Sequence, residues 1–277
     1  MFKYSYNTIV YYQEDVATGV DRVARYGYDG IELVGEPDHY DTKQVRRLVD
    51  DAGIAVSSIC SIYTGDERDL SNPDASMRNK AIDYVKSVAD LAAGVGAPVI
   101  IASPAPVGKV APKGDRGDEY SWAVEAIKKG AEYANSVGVK LCLEAWNRYE
   151  QYFLNRIDQC LALMKDVDMP NVGVMGDTFH MNIEDPSIPD AFRAAGKNLI
   201  HVHFADSSRA APSKGHIDFL PALKALKEID YQGYITFELL PAASDPFGPM
   251  KEGGGGEFFD EYTKLSIEQM KAAEKKL

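Results

Sequence analysis

Asp177, His180, Asn182, Glu184 and Asp185 crowd into one stretch, "VGVMGDTFHMNIED" (172–185), directly behind a short apolar run. A burst of metal-capable groups at the tip of what reads as a buried strand is either a surface turn or half of a site. Three other apolar runs end in the same way. "LCLEAWNRYE" puts Glu144 at its tip, "LIHVHFAD" carries His201 and His203 on one face with Val202 between them, and "YITFELL" ends at Glu238. A lone acid at a strand end is commonly a cap or a solvated rim residue. Consecutive strands that each deliver a carboxylate or an imidazole to the same end are a different case. Neighbouring strands lie about 4.8 Å apart, and a tilted, closed sheet curves them toward a common centre. Three carboxylates gathered there repel one another unless a cation sits among them. Three oxygen ligands and one imidazole suit a hard or borderline divalent ion, Mn²⁺, Mg²⁺ or Co²⁺, rather than structural zinc. Of the five histidines, His180, His201, His203 and His216 fall between residues 180 and 216. His39 reads as a surface residue. His201, lower along its strand than His203, reads as packed core rather than a ligand.

The elements that must carry these groups repeat in a regular rhythm. Eight short runs of strand length, "KYSYNTIV", "YDGIELV", "GIAVSSIC", "APVIIAS", "VKLCLEA", "VGVMGD", "NLIHVHFA" and "GYITFEL", are bounded by turn residues. Helix-like segments fall near residues 14–26, 41–51, 117–137, 156–166, 187–195, 219–229 and 257–276. The clearest lies in "SNPDASMRNKAIDYVKSVADLAAGVG", where Met77, Ala81, Tyr84, Val88, Leu91 and Ala92 recur at three or four. Asn72 is its expected cap, Pro73 its first residue, and Gly94 and Gly96 its end. Strands alternating with helices predict one α/β domain over residues 1–277, a single (β/α)8 TIM barrel with its active site at the C-terminal face. A doubly wound open sheet is the competing architecture, weakened because no GxGxxG follows the first strand. The segment "PAASDPFGPMKEGGGG" (241–256) is then a loop on the catalytic face, either a plain surface loop or a lid.

Composition narrows the partners. The 277 residues carry a formal net charge of −12, which argues against a nucleic-acid backbone and leaves a small neutral molecule open. Cys60, Cys142 and Cys160 include no CxxC spacing, which fits a reducing cytoplasmic setting. No window approaches the apolar length of a membrane span, and the N-terminal stretch has no long apolar core of the signal-peptide kind.

The motifs together resemble the xylose-isomerase-like sugar isomerase/epimerase superfamily, and within it the ketose 3-epimerases such as D-tagatose and D-psicose 3-epimerases. Those enzymes carry E-P-L-N-R-F-E after strand five, where this chain has "EAWNRYE" (144–150). Their D-T-F-H-M-N-I-E after strand six is intact here from Asp177 to Glu184, His203 precedes Arg209 by six residues as in their H-x-H motif, and a closing glutamate falls at Glu238. The resemblance implies that Glu144, Asp177, His203 and Glu238 bind one metal ion. It implies that Glu150, His180 and Arg209 contact the substrate's O1–O2 end, and that Glu144 and Glu238 double as the proton-transfer pair. A proton beside a ketone is too weakly acidic to leave unaided. A cation next to the carbonyl, with carboxylates on two sides of the carbon, answers both needs. Relatives of this kind are often dimers or tetramers.

The chain also departs from the pattern. Ala145-Trp146 replaces Pro-Leu, and Trp146 either stacks on a sugar or an aglycone or fills space under the loop. The motifs suit a lyase, dehydratase or 4-epimerase acting on a 3-keto-glycoside or an inosose as well as an epimerase of free ketoses. A nuclease related to abasic-site endonucleases fits poorly with the charge, and a non-catalytic sugar-binding barrel leaves the acid pair without purpose.

Overall fold

The computed structural model describes residues 1–11, 14–241 and 256–277. Among these, eight parallel strands close into a barrel in sequence order. They are β1 (Lys3–Asn7), β2 (Gly30–Gly35), β3 (Ala55–Ser61), β4 (Val99–Ala102), β5 (Lys140–Leu143), β6 (Val172–Asp177), β7 (Leu199–Phe204) and β8 (Tyr234–Phe237). The open-sheet alternative is excluded, because β1 pairs with β8 from Lys3↔Tyr234 to Tyr6↔Phe237. Helices α1 (Val16–Arg25), α2 (Thr42–Ala52), α3 (Ala75–Val95), α4 (Arg116–Ser136), α5 (Ile157–Val167), α6 (Thr178–Glu184), α7 (Ile188–Ala195), α8 (Phe219–Glu228) and α9 (Gly256–Glu274) run between and after them. The expected mouth loop, residues 241–256, lies outside the described residues except at its two ends.

Aspartate starts most of these helices. Asp15, Asp41, Asp74, Asp115, Asp177 and Asp218 each accept a main-chain N–H of the first turn, and each such cap is worth about 1 kcal/mol. Three sequence expectations shift as a result of local hydrogen bonding. Asp74, not Asn72, caps α3, and Asn72 instead accepts the Asp74 N–H at 2.9 Å. The first strand stops at Asn7, whose side chain accepts the Ile9 N–H at 2.6 Å and turns residues 8–11 into a 3-10 helix. The acidic stretch after β6 is neither strand end nor loose turn. It is the helix α6, capped by Asp177 itself.

The core divides in two. One large apolar cluster lies between sheet and helices, and a small one, Cys60, Val99, Ile101, Cys142 and Met175, packs separately. Strand alternation assigns the small cluster to the barrel interior. There it occupies the β3–β6 side, while the β1, β2 and β7 side is polar. Register shifts between Ile31 and Glu32 in the β2–β3 pair and between Val174 and Met175 in the β6–β7 pair set the phase of the residues above them. The second shift brings Asp177 opposite His203, and His203 in turn faces Thr236 on β8. No described helix is long and apolar enough to cross a membrane.

Candidate active site and metal centre

The four strand ends meet. Glu144, Asp177, His203 and Glu238 each offer a ligand atom, and these atoms all lie within 4.8 Å of one another in a buried cluster. Each is positioned by its element. Glu144 follows β5 directly and its N–H donates to Ala102 O of β4 at 3.0 Å. Asp177 spends Oδ1 on capping α6, accepting Phe179 N–H at 2.8 Å, and Oδ2 is left without a hydrogen-bond partner. Thr178 Oγ1 donates to Ala205 O at 2.7 Å and accepts Ala205 N–H at 2.9 Å, which locks the end of β6 to the end of β7. His203 Nδ1 lies 3.4 Å from Glu238 Oε2, and neither of its ring nitrogens makes a directed hydrogen bond.

Charge in this cluster is unbalanced. Burial raises the Glu144 carboxyl to about 8, with Glu238 and Asp177 adding repulsion that His203 only partly relieves. Burial likewise raises Asp177 to about 7, against the pull of Arg209. Glu238 is also penalised by burial, but Arg209 and His203 outweigh it and hold the carboxyl well below the ordinary range. Two buried carboxyls whose ionisation burial opposes, an aspartate oxygen and an imidazole nitrogen without partners, and a three-oxygen, one-nitrogen donor set together fit a hard or borderline divalent cation.

The expected substrate residues surround the cluster. Arg209 Nη2 donates to Glu238 Oε2 at 2.5 Å and lies 3.8 Å from Asp177 Oδ2, while Nη1 is 3.6 Å from Glu150 Oε1. Its guanidinium carbon sits 5.0 Å from the centre of the Phe179 ring. His180 Nδ1 accepts Asn147 N–H at 3.2 Å and lies 2.9 Å from Asn147 Nδ2, which also donates to Glu150 Oε1 at 2.9 Å. An accepting Nδ1 leaves the ring proton on Nε2. That nitrogen is 3.7 Å from Asp177 Oδ2 and has no hydrogen-bond partner. Burial, then Arg209, push the His180 pKa well below normal, so the ring is neutral and Nε2–H is a free donor. Trp146 is buried with its ring centre 6.5 Å from that of His180 and belongs to the core cluster. His39 and His216 are exposed.

Sequence reasoning missed the polar half of the barrel interior. Glu32 of β2 is fully buried; its Oε2 lies 2.8 Å from His201 Nε2 and accepts Ser58 Oγ–H at 2.5 Å, and its Oε1 accepts Asn7 Nδ2–H at 2.7 Å. Oε1 also lies 2.9 Å from His203 Nε2, but the ring N–H is poorly aimed at it, so the contact is electrostatic more than directional. Burial opposes ionisation of Glu32, yet His203 and His201 outweigh it and bring the carboxyl to about 2. Asn7 Nδ2 reaches Glu238 Oε1 at 3.3 Å and so joins this network to the four-residue cluster. His201 is buried, with Glu32 as its partner, and Glu32, His201 and His203 form a second group close enough to share an ion. The available signal was a carboxylate inside the apolar run "GIELVG".

A closed eight-stranded barrel carries, at the C-terminal ends of its strands, a buried acid and imidazole cluster that could hold a metal ion. Over residues 20–253 the sequence matches the family described as a xylose isomerase-like TIM barrel, and the chain belongs to that family. It is similar to D-psicose 3-epimerase of Agrobacterium fabrum, at 34% identity over 79% of this chain and 77% of that one. It is also similar to 3-dehydro-D-guloside 4-epimerase of Escherichia coli, at 25% identity over 85% and 91%. The solved structure of D-psicose 3-epimerase with D-tagatose from Clostridium cellulolyticum superposes with a TM-score of 0.87, at 25% identity over 98% of this chain and 99% of that one. The chain is accordingly an enzyme of the isomerase class, a sugar epimerase by kinship.

Proposed function

We propose that this protein is a divalent-metal-dependent ketose 3-epimerase. The observation that carries the reading is the placement of Glu144 and Glu238, from β5 and β8, in one buried cluster with Asp177 and His203. These four residues would hold the ion, which when bound supplies a Lewis acid beside the ketone and its neighbouring hydroxyl. Mn²⁺ is the proposed ion, with Co²⁺ or Mg²⁺ as substitutes.

The chain's own groups do the rest. Glu144 and Glu238 approach from two sides of the cluster. One carboxylate takes the C3 proton, and the C–H electron pair moves into C2–C3 while the carbonyl pair moves onto O2. The other, as its acid, returns a proton to the opposite face of C3, so the stereocentre inverts with no redox change. His180 Nε2–H and the Arg209 guanidinium donate to the oxygens on the carbonyl side, where charge develops. Glu150, held by Asn147, accepts from a sugar hydroxyl. Trp146 backs His180, and any contact it makes with the sugar belongs to this proposal.

The similarity to a 4-epimerase over most of its length supports a second reading, in which the same proton transfer acts on a 3-keto-glycoside. A homo-oligomer, dimer or tetramer, is part of the proposal. Val107, Val110 and Tyr149, exposed on the loops after β4 and β5, and Ile183, exposed on α6, support it. A cytoplasmic location is supported by three unpaired cysteines. Incubation of Mn²⁺-loaded protein with D-psicose and, separately, with a 3-keto-glucoside distinguishes the two substrates. Formation of D-fructose from D-psicose is expected, and turnover of the keto-glucoside alone would establish the second reading instead.

A further inference from the structure

We propose that Asp206 is a positioning residue that sets Arg209 for catalysis through the loop it anchors, an inference that rests on the role given above to Arg209. Asp206 is fully buried and lies just past the end of β7. Its carboxylate gathers the loop around itself. Oδ1 accepts the N–H groups of Ser207 (2.7 Å) and Ile217 (3.0 Å), and Oδ2 accepts that of Ser213 (2.9 Å). Its main chain closes the turn carrying the arginine, with Arg209 N–H donating to Asp206 O at 2.8 Å and Asp206 N–H to Ala210 O at 2.9 Å. The far side is tied beyond β8, where Leu240 N–H donates to Arg209 O at 2.9 Å.

Within this cradle Arg209 has φ of +61° and Ser213 of +80°. Side-chain-bearing residues rarely adopt that left-handed region, and they hold it only where the surroundings over-determine it. The surroundings here are the three N–H bonds to one carboxylate. Gly215 shows how closely the loop wraps Asp206: a Cβ there would lie 2.2 Å from Asp206 Oδ1 and 2.4 Å from Ser207 Oγ. The outcome is the arginine geometry of the site, with Nη2 on Glu238 and Nη1 toward Glu150. If the Asp206 carboxylate loses an acceptor, the turn can relax toward an ordinary φ and swing the guanidinium away from both.

A double-mutant cycle on kcat/KM for D-psicose, in Mn²⁺-loaded protein, separates this role from general support of the fold. Asp206→Asn puts an NH₂ group where one acceptor stood. It is expected to lower kcat/KM about 10- to 100-fold, the scale of a misplaced catalytic contact, with Mn²⁺ content unchanged. In the Arg209→Ala background the same substitution is expected to have almost no further effect. Gly215→Ala, which crowds the Asp206 carboxylate without removing its charge, is expected to repeat the pattern, and it decides by the same criterion if Asp206→Asn does not fold. Additive losses beside an impaired Arg209→Ala, or loss of Mn²⁺ from Asp206→Asn, would overturn the positioning role alone. An Arg209→Ala variant with full activity would overturn the role of Arg209 first, and this inference with it.

Discussion

Glu32 lies inside the barrel, away from solvent, with His201, His203, Ser58 and Asn7 around its carboxylate. If His203 faces the ion through Nδ1, the negative charge near Nε2 keeps a proton there and leaves Nδ1 free to bind. Carboxylates behind a ligating histidine typically contribute 10- to 100-fold to metal affinity. Glu32→Gln keeps the shape and removes the charge, so Mn²⁺ affinity measured by calorimetry is expected to fall about tenfold or more. An unchanged dissociation constant would reduce Glu32 to a packing role. The four strand-end residues were legible because each follows an apolar run and repeats its neighbours' phase. Glu32, Asn7, Asn147 and Asp206 were not. Their importance lies in which long-range partner each meets, and a single polar residue within or beside a strand carries no mark of that partner.

Loops rather than strands hold the rim of the site, and one buried cation organises three of them. Lys109, after β4, lies 2.8 Å from Asp69, after β3, and 2.8 Å from Glu119 of α4, with all three side chains almost fully buried. Tyr152, after β5, donates its hydroxyl to the same Glu119 carboxylate, and Gly108 N–H donates to Glu150 O at 2.8 Å. Lys109→Met therefore leaves two carboxylates buried without their cation, a loss of about 3–5 kcal/mol in unfolding free energy. Urea denaturation checks this, and a shift below about 1 kcal/mol, the scale of an exposed ion pair, would contradict it. The strand and helix rhythm was readable because period and turn residues are local properties. Helix α6 was not, because the stretch from Thr178 to Glu184 reads as polar ligands rather than as a helical face. What makes it helical is Asp177, whose one oxygen caps it while the other faces the site.

For the molecule as a whole, the cluster is a folding cost that the proposed ion would relieve. Without metal, burial raises Glu144 to about 8 and Asp177 to about 7, above their ordinary values of 4.5 and 3.8. Groups with raised folded-state values favour the fold below their unfolded values and lose that contribution as pH rises through the folded ones. His180 and His201, whose values burial lowers, oppose this trend only up to their ordinary 6.5, so the melting temperature of the chelated protein is expected to fall between about pH 6.5 and pH 8. On the proposed reading Mn²⁺ at a hundredfold excess over its dissociation constant would stabilise the fold by about 2.7 kcal/mol, and the gap between loaded and chelated protein should widen over that pH range. A gap that narrows with rising pH would place the ion elsewhere. The central claim concerns one carbon of the substrate, and one measurement addresses it directly. D-psicose is turned over by the Mn²⁺-loaded enzyme in D₂O, and the D-fructose formed is examined by NMR. Two-carboxylate proton transfer predicts deuterium at C3 of the product and no incorporation after chelation. D-fructose that retains the original hydrogen at C3 would contradict the account, because the proton would never have left the substrate for the solvent-exchanging pair Glu144 and Glu238.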